Sequence, residues 1–277
     1  MSNEEGIVKV FGNFNKALIE YYEINGVIVN KVALHIGSGR DASPGQAIDN
    51  PIVRLPDGRP YIPGSSVKGV FRSIVESYLV TVASGKDHVN TSCAKLFRDN
   101  NVSPEMFLKE CSPIPSESRE TIKPYCVNHG LFGGPNIASH IQLFDLMVVK
   151  GGKTFTKPGV AIDRFLGASR LGALYNIELV APGTKWEFRM RIYGLEFNSE
   201  LGNTLEWRCA REALAFLLEY ISREGFSLGG RVSAGHGYMV FDREPIVKHV
   251  YADENGTIQS EELSLREFIE MLRGGGK

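Results

Sequence analysis

The sequence contains no run approaching the about eighteen consecutive apolar residues that a membrane-spanning helix needs. Its opening, MSNEEGIVKVFG, has neither the basic start nor the apolar core of a signal peptide. A cytoplasmic location with no membrane partner is the expectation. Excess charge of one sign is also missing, since 31 Lys and Arg stand against 32 Asp and Glu, for a net charge of −1. Overall charge therefore gives no grounds for nucleic-acid binding, and any such role must rest on local patches. Cysteine is scarce: Cys93, Cys111, Cys126 and Cys209 are four in 277 residues, too few for a disulfide scaffold. A chain this long buries an ample core without one. No internal repeat, cofactor fingerprint or catalytic-triad spacing is present, which makes a metabolic enzyme the poorest reading.

What is present alternates between two periodicities. Val27, Val29, Val32, Leu34 and Ile36 give a strand over 22–37, its period of two broken once near Lys31. A loop rich in Gly, Ser, Pro and Asp follows (37–51), then an extended piece over 51–63 with a Pro-Asp-Gly-Arg turn at its centre. Residues 64–82 predict a helix, with Ser65 or Ser66 at the N-cap and Val67, Val70, Phe71, Ile74, Tyr78 and Leu79 at helical spacing. Periodicity is lost over 84–136, which gathers polar residues, prolines and three of the four cysteines. Strands are expected at 139–150, 172–181 and 184–194, a helix near 204–224, a glycine-rich stretch and final strands after it, and a short helix over 264–273. Without insertions the order is strand, helix, strand, strand, helix, strand, an α+β arrangement of ferredoxin-like (RRM-like) βαββαβ type. The expected organisation is a single domain, with a core over 17–83, 137–150 and 171–247. To it are added a Cys-containing insertion over 84–136, a thumb-like hairpin over 151–170 and a C-terminal extension over 248–277.

Four segments carry candidate chemistry. In 35-HIGSGRDASPGQAIDNPIVR-54, small residues allow a backbone to approach a ligand, Arg40 and Arg54 can meet phosphates, and Asp49 stands where order resumes. By residue chemistry alone, Asp49 is best read as capping a turn before Asn50-Pro51. In 63-PGSSVKGVFR-72, a Gly-Ser-Ser helix entry offers N–H groups and the Ser65 and Ser66 hydroxyls to one phosphate. Lys68 and Arg72 lie four apart beside it, and an ordinary capped helix with a basic edge is an equal reading. The segment is not a P-loop. In 227-SLGGRVSAGHGYM-239, Gly229, Gly230, Gly235 and Gly237 suit a loop lying against a ligand or a neighbouring element, with His236 structural. In 154-TFTKPGVAIDRFLGASRLGAL-174, Lys157, Arg164 and Arg170 surround Val160, Ile162 and Phe165, a basic projection able to wedge between bases or to pack on a neighbour.

Taken in order, these segments resemble a known family. The stretch 47-AIDNPIVRLPDGRPYIPGSSVKGVFR-72, then 131-LFGG-134, 162-IDRFLGASRLGALYNIE-178 and 228-LGGRVSAGHGYM-239, is similar to the RAMP superfamily backbone subunit of type III CRISPR interference complexes. The resemblance covers most of the chain, and Ile-Asp-Asn-Pro and Pro-Gly-Ser-Ser-Val-Lys-Gly are its specific parts. It implies a subunit that assembles beside further copies of itself and other type III subunits on a guide RNA. It also implies cleavage of paired target RNA by the aspartate of I-D-x-P, here Asp49, with Mg²⁺ or another divalent cation. Arg40, Arg54, Ser65, Ser66, Lys68, Arg72 and the 227–238 loop, with Gly229, Gly230, Arg231 and His236, become RNA-binding candidates. Lys157, Arg164 and Arg170 become those of a thumb that interrupts the guide–target duplex. The family pattern G-x-S-R-G-x-G reads here as 230-GRVSAGHG-237, so Arg231 or His236 stands in for its arginine. A scaffold that leaves cutting to a neighbour would not need Asp49, whereas an endoribonuclease that trims the guide precursor would want a base near the glycine loop, where His236 is the candidate.

The insertion holds Cys93, Cys111, Cys126 and His129, with Cys126 and His129 spaced like half a zinc site. A structural Zn²⁺ would clamp a segment lacking a core of its own, with His88 able to replace Cys93 or Cys111. Buried free thiols are the equal alternative, and Cys209, mid-helix, reads as core.

Overall fold

A computed structural model describes residues 20–37, 48–85, 91–111, 123, 126–134, 137–163, 165, 167–195, 197 and 200–274. In chain order, strand β1 (Tyr21–Asn30) is followed by the two-residue β2 (Tyr61–Ile62) and helix α1 (Gly64–Ala83). The short helices α2 (Ser92–Asp99), α3 (Pro104–Glu110) and α4 (Val127–Phe132) come next, then β3 (Ile141–Leu143) and β4 (Leu146–Lys150). The hairpin strands β5 (Thr154–Ile162) and β6 (Ser169–Val180) lead into β7 (Lys185–Tyr193) and helix α5 (Leu205–Arg223). Last are β8 (Phe226–Ser227), β9 (Tyr238–Phe241), β10 (Ile246–Ala252), β11 (Ile258–Ser264) and helix α6 (Leu265–Leu272). The α+β class expected from the sequence is borne out.

The main sheet runs β11-β10-β1-β7-β4-β2, and β9 shares the β10 side of β1. Along β9, β1, β7 and β4 every neighbour is antiparallel. The pleat explains why β7 is central: Trp186, Phe188, Met190 and Ile192 alternate along it and are fully buried, at about 2 kcal/mol of apolar burial for each such side chain. Helix α1 packs through Val67, Phe71, Val75 and Leu79, four apart, and α5 through Trp207, Ala210, Leu214 and Leu217. Thr204 caps α5 by accepting from the Trp207 N–H.

Four expectations change. The entry to α1 is capped from outside: Pro63 occupies the cap position, Ser65 and Ser66 lie within the helix, and Asp145 accepts the Gly64 N–H at 2.8 Å. A Cβ at Gly64 would lie 2.5 Å from the Leu143 carbonyl, so glycine permits this close approach to the β3–β4 turn. Over 84–136, α2 and α3 are capped by Thr91 and Ser103, and their turns are too short to show a sequence period. Strand β6, expected within the core over 171–247, pairs instead with β5 in a separate two-stranded sheet, so the hairpin expected over 151–170 reaches Val180. Finally, β1 ends at Asn30, whose buried amide donates to the Val32 and Ala181 carbonyls and accepts from Trp186 Nε1. This bracket accounts for the broken period near Lys31.

Candidate nucleic-acid interface and cleavage site

Asp49 does not cap the turn it precedes. The peptide 48–54 is threaded between the segment that follows β1 and the free edge of β6. Asn50 takes the Glu178 N–H on its carbonyl at 3.0 Å, and the Val53 N–H donates to the Ile36 carbonyl at 2.8 Å. Pro158 faces Asn176 across the β5–β6 hairpin. On the other edge the Asn176 N–H donates to Asp49 Oδ2 at 2.6 Å. The carboxylate is therefore exposed, fixed at one oxygen to the base of the hairpin, and its other oxygen has no partner among the described residues.

Glu178 organises the floor beneath it. Its side chain is buried, accepts the Ile52 N–H at 3.1 Å and pairs with Arg54. Arg54 also donates to the Gly58 carbonyl at 2.5 Å and to Thr154 Oγ1 at 3.1 Å, so the structure gives this candidate phosphate ligand a set of internal partners. The Glu178 carbonyl lies 2.8 Å from His35 Nδ1. A carbonyl only accepts, so Nδ1 is the donor. His35 and Glu178 were not singled out in the sequence, because nothing local marks either as part of a site.

The glycine loop is laid against the same segment by backbone bonds. Gly230 N–H donates to the His35 carbonyl at 2.8 Å and Gly237 N–H to the Ala33 carbonyl at 2.9 Å. A Cβ at Gly229 would stand 2.2 Å from the His35 carbonyl oxygen, and one at Gly237 1.9 Å from that of Leu228. Arg231 adopts the left-handed region at φ 62°. It reaches the hairpin, with Nη1 donating to the Tyr175 hydroxyl at 2.9 Å. His236 is buried, and burial together with the positive charges of Lys157 and Arg231 holds its imidazole below the usual histidine range. Lys157 and Arg231 thus stand close to His236, while Arg231 and Asp49 are bonded to adjacent residues of the hairpin, Tyr175 and Asn176.

The other candidates lie apart from it. Lys68 is half-buried, and burial and neighbouring Arg72 hold its ammonium below the usual lysine value. Arg72 faces inward, bonded to Glu76 at 3.3 Å and to the Gly133 carbonyl at 3.2 Å. At the entry to α1 the Asp145 carboxylate takes the Gly64 N–H that a phosphate would use. Ser65 is exposed and Ser66 half-buried beside it. Arg40 and Arg164 fall outside the described residues, as does the side chain of Arg170. The hairpin carries exposed apolar groups, Phe155, Val160, Ile162, Phe165 and Leu174, with Phe165 fully exposed.

Of the four candidate zinc ligands, the structure brings three together. Cys111 and Cys126 are bonded to each other, and Cys126 Sγ lies 2.8 Å from His129 Nδ1. Burial and the Arg72 charge push the His129 imidazole down to about 4. Cys93 is elsewhere, bonded to Cys209 and so tying α2 to α5; Cys209 is in the core, as expected, but as one half of a crosslink. With the sulfurs bonded, no group of three or more His, Cys, Asp or Glu among the described residues is set out to hold a metal ion. His88 lies outside the described residues. No helix among them is long and apolar enough to cross a membrane.

A family profile described as the RAMP superfamily matches residues 33–240, from the segment after β1 to β9 and so through every element just described. The chain belongs to the RAMP superfamily. Among curated relatives of this RAMP protein, one from Methanothermobacter thermautotrophicus, named CRISPR system Cms endoribonuclease Csm3, is 48% identical over 65 residues, covering 23% of this chain and 26% of that one. A protein of the same name from Enterococcus italicus is 44% identical over 66 residues, 22% of this chain and 31% of the relative. These two matches thus span about a quarter and a third of the relatives' lengths. A third, from Methanocaldococcus jannaschii and also so named, is 25% identical over 264 residues, covering 91% of this chain and 94% of its own. The resemblance to the type III CRISPR subunit of the superfamily is borne out.

Proposed function

We propose that this RAMP protein is a guide-RNA-binding backbone subunit of a type III CRISPR complex, and that it cleaves complementary target RNA at Asp49 with a divalent cation. The observation that carries the reading is the placement of Asp49, an exposed carboxylate fixed through the Asn176 N–H to the base of a projecting basic and apolar hairpin. We read the strand order β9-β1-β7-β4 with α1 and α5 as a ferredoxin-like core, with the β5–β6 hairpin as its thumb. Exposed Phe165 and Ile162 on that hairpin suit insertion between bases. A nucleotide splayed at the hairpin's base would bring its 2′-hydroxyl to the outward Asp49 oxygen, which takes the proton as that hydroxyl attacks the adjacent phosphate; a 2′,3′-cyclic phosphate closes, the P–O5′ bond breaks, and water returns a proton to the departing 5′-oxygen. Lys157 faces Ile177, the residue after Asn176, across the hairpin, where its charge would favour the phosphate. Asp49 offers a cation one ligand, so phosphate oxygens and water would supply the rest; the bound ion would neutralise charge developing on the phosphate. The names of the relatives, each a CRISPR-system endoribonuclease, support the same reading.

Lys68 and the main chain of the glycine loop would follow the guide backbone. Zinc is proposed for Cys111, Cys126 and His129 alone, without Cys93. Bonded sulfurs do not fit the ion, so the reading requires both as thiolates and a fourth ligand. Metal analysis of protein purified under reducing conditions decides it: one zinc per chain, lost in Cys126→Ser, is expected.

The central experiment is target-RNA cleavage by the assembled guide complex with Mg²⁺, wild type against Asp49→Ala. Loss of cutting by at least about a hundredfold, with target binding retained, is the expected result. Undiminished cutting would leave this chain a scaffold and place the nuclease on another subunit.

A further inference from the structure

Asp49 owes its position to β6, and β6 is itself held from a third direction. Arg231 leaves the glycine loop with its backbone in the left-handed region, φ 62°, which a non-glycine residue occupies only when its surroundings impose it. The surroundings here are the Gly230 N–H on the His35 carbonyl and the Ala234 N–H on the carbonyl of Arg231 itself, at 2.9 Å. The guanidinium is carried to Tyr175, where it donates to the hydroxyl at 2.9 Å and sits 4.8 Å from the ring centroid. The Tyr175 ring in turn lies across β5 at Gly159, where a Cβ would come within 2.5 Å of it. The next residue along β6 is Asn176, whose N–H holds Asp49.

We infer that Arg231 and Tyr175 are a positioning pair for the cleavage site, setting the base of the hairpin against the core so that the Asn176 amide presents Asp49 at a fixed angle. Arg231 does not contact guide phosphate in this role. The inference rests on the reading of Asp49 as the cleaving group. It accounts for two features that reading leaves unused, the left-handed arginine and the missing side chain at Gly159.

The test uses guide-loaded complex assembled with Arg231→Lys, with Arg231→Ala, with Tyr175→Phe, with each Arg231 variant combined with Tyr175→Phe, and with Asp49→Ala. Single-turnover cleavage, target affinity and the salt dependence of guide binding are measured for each. A positioning pair predicts that each single variant slows cleavage by about tenfold, that the double is no slower than either, and that target affinity and the salt slope stay at wild-type values. Free guanidinium ion should partly restore cutting in Arg231→Ala but not in Arg231→Ala with Tyr175→Phe. Two results would overturn the pair. One is wild-type cutting by Tyr175→Phe and Arg231→Lys while Asp49→Ala is dead. The other is a loss confined to Arg231 variants with the salt slope of guide binding reduced by about one, which would make it a phosphate ligand. If Asp49→Ala itself cuts normally, the cleavage reading fails and the pair has no site to position, an outcome read from that variant alone.

Discussion

At Arg54 the guanidinium meets a carboxylate that is almost fully buried, and among the described residues Arg54 and the Ile52 N–H compensate the charge of Glu178. Removing one partner of such a pair strands the other. Arg54→Met is therefore expected to destabilise the RNA-free protein by about 2–3 kcal/mol, whereas Lys68→Ala changes it by about half a kcal/mol or less. Urea titration of both variants decides this, and a neutral Arg54→Met would return that side chain to the list of phosphate ligands. His249 offers a second residue-scale test. Burial alone would lower its affinity for protons, but Glu20 and Glu261, at 3.1 and 3.0 Å, outweigh it and raise the folded value above the ordinary one. The stabilisation is thus complete below the unfolded value of about 6.5 and disappears as pH rises through the folded value. The ring stacks on Tyr22 at 4.2 Å, a contact that His249→Phe keeps. The stability gap between wild type and His249→Phe should be widest below about pH 6 and close at alkaline pH. A gap that widens with pH would show the sign to be wrong.

Among elements, the glycine loop is the one whose composition has a direct geometric cause. Gly237 has φ +81° and a virtual Cβ 1.9 Å from a backbone oxygen, while Gly235 has the same φ with no atom of the described residues within 4 Å. Gly235→Ala should cost about 1–2 kcal/mol through φ alone. Gly237→Ala should cost clearly more, on the order of 3 kcal/mol, and should also loosen the Ala33 bond. Equal losses on denaturation would mean that the loop does not press on its neighbours as described. The entry to α1 teaches the opposite lesson about local patterns. Gly-Ser-Ser reads as a capped phosphate seat, yet a carboxylate 81 positions away in sequence occupies it.

For the molecule as a whole, the Cys93–Cys209 bond joins α2 to α5 across 116 residues of sequence. Closing so long a loop restricts the unfolded chain, and its reduction is expected to lower stability by about 2–4 kcal/mol. Denaturation with and without a reductant measures this; coincident curves would mean that the two sulfurs are not bonded in solution. The same crosslink shows why the expected zinc set was split. Sequence spacing grouped Cys93 with the insertion, but helix packing turned it toward α5 and left Cys111 with Cys126 and His129.

The sequence by itself determined the α+β class, the two long helices and the family, because buried faces impose periods of two and 3.6 and because Ile-Asp-Asn-Pro and Pro-Gly-Ser-Ser-Val-Lys-Gly are specific strings. It also marked Asp49, but for a role its local chemistry argued against. Only the tertiary structure decided what Asp49 touches. Its partner is a backbone amide 127 positions away, and backbone amides carry no sequence signature. The same holds for the internal partners of Arg54 and for the reach of Arg231 to Tyr175. A side chain's type sets what it can bond, while the partner it meets depends on how distant strands are brought into register.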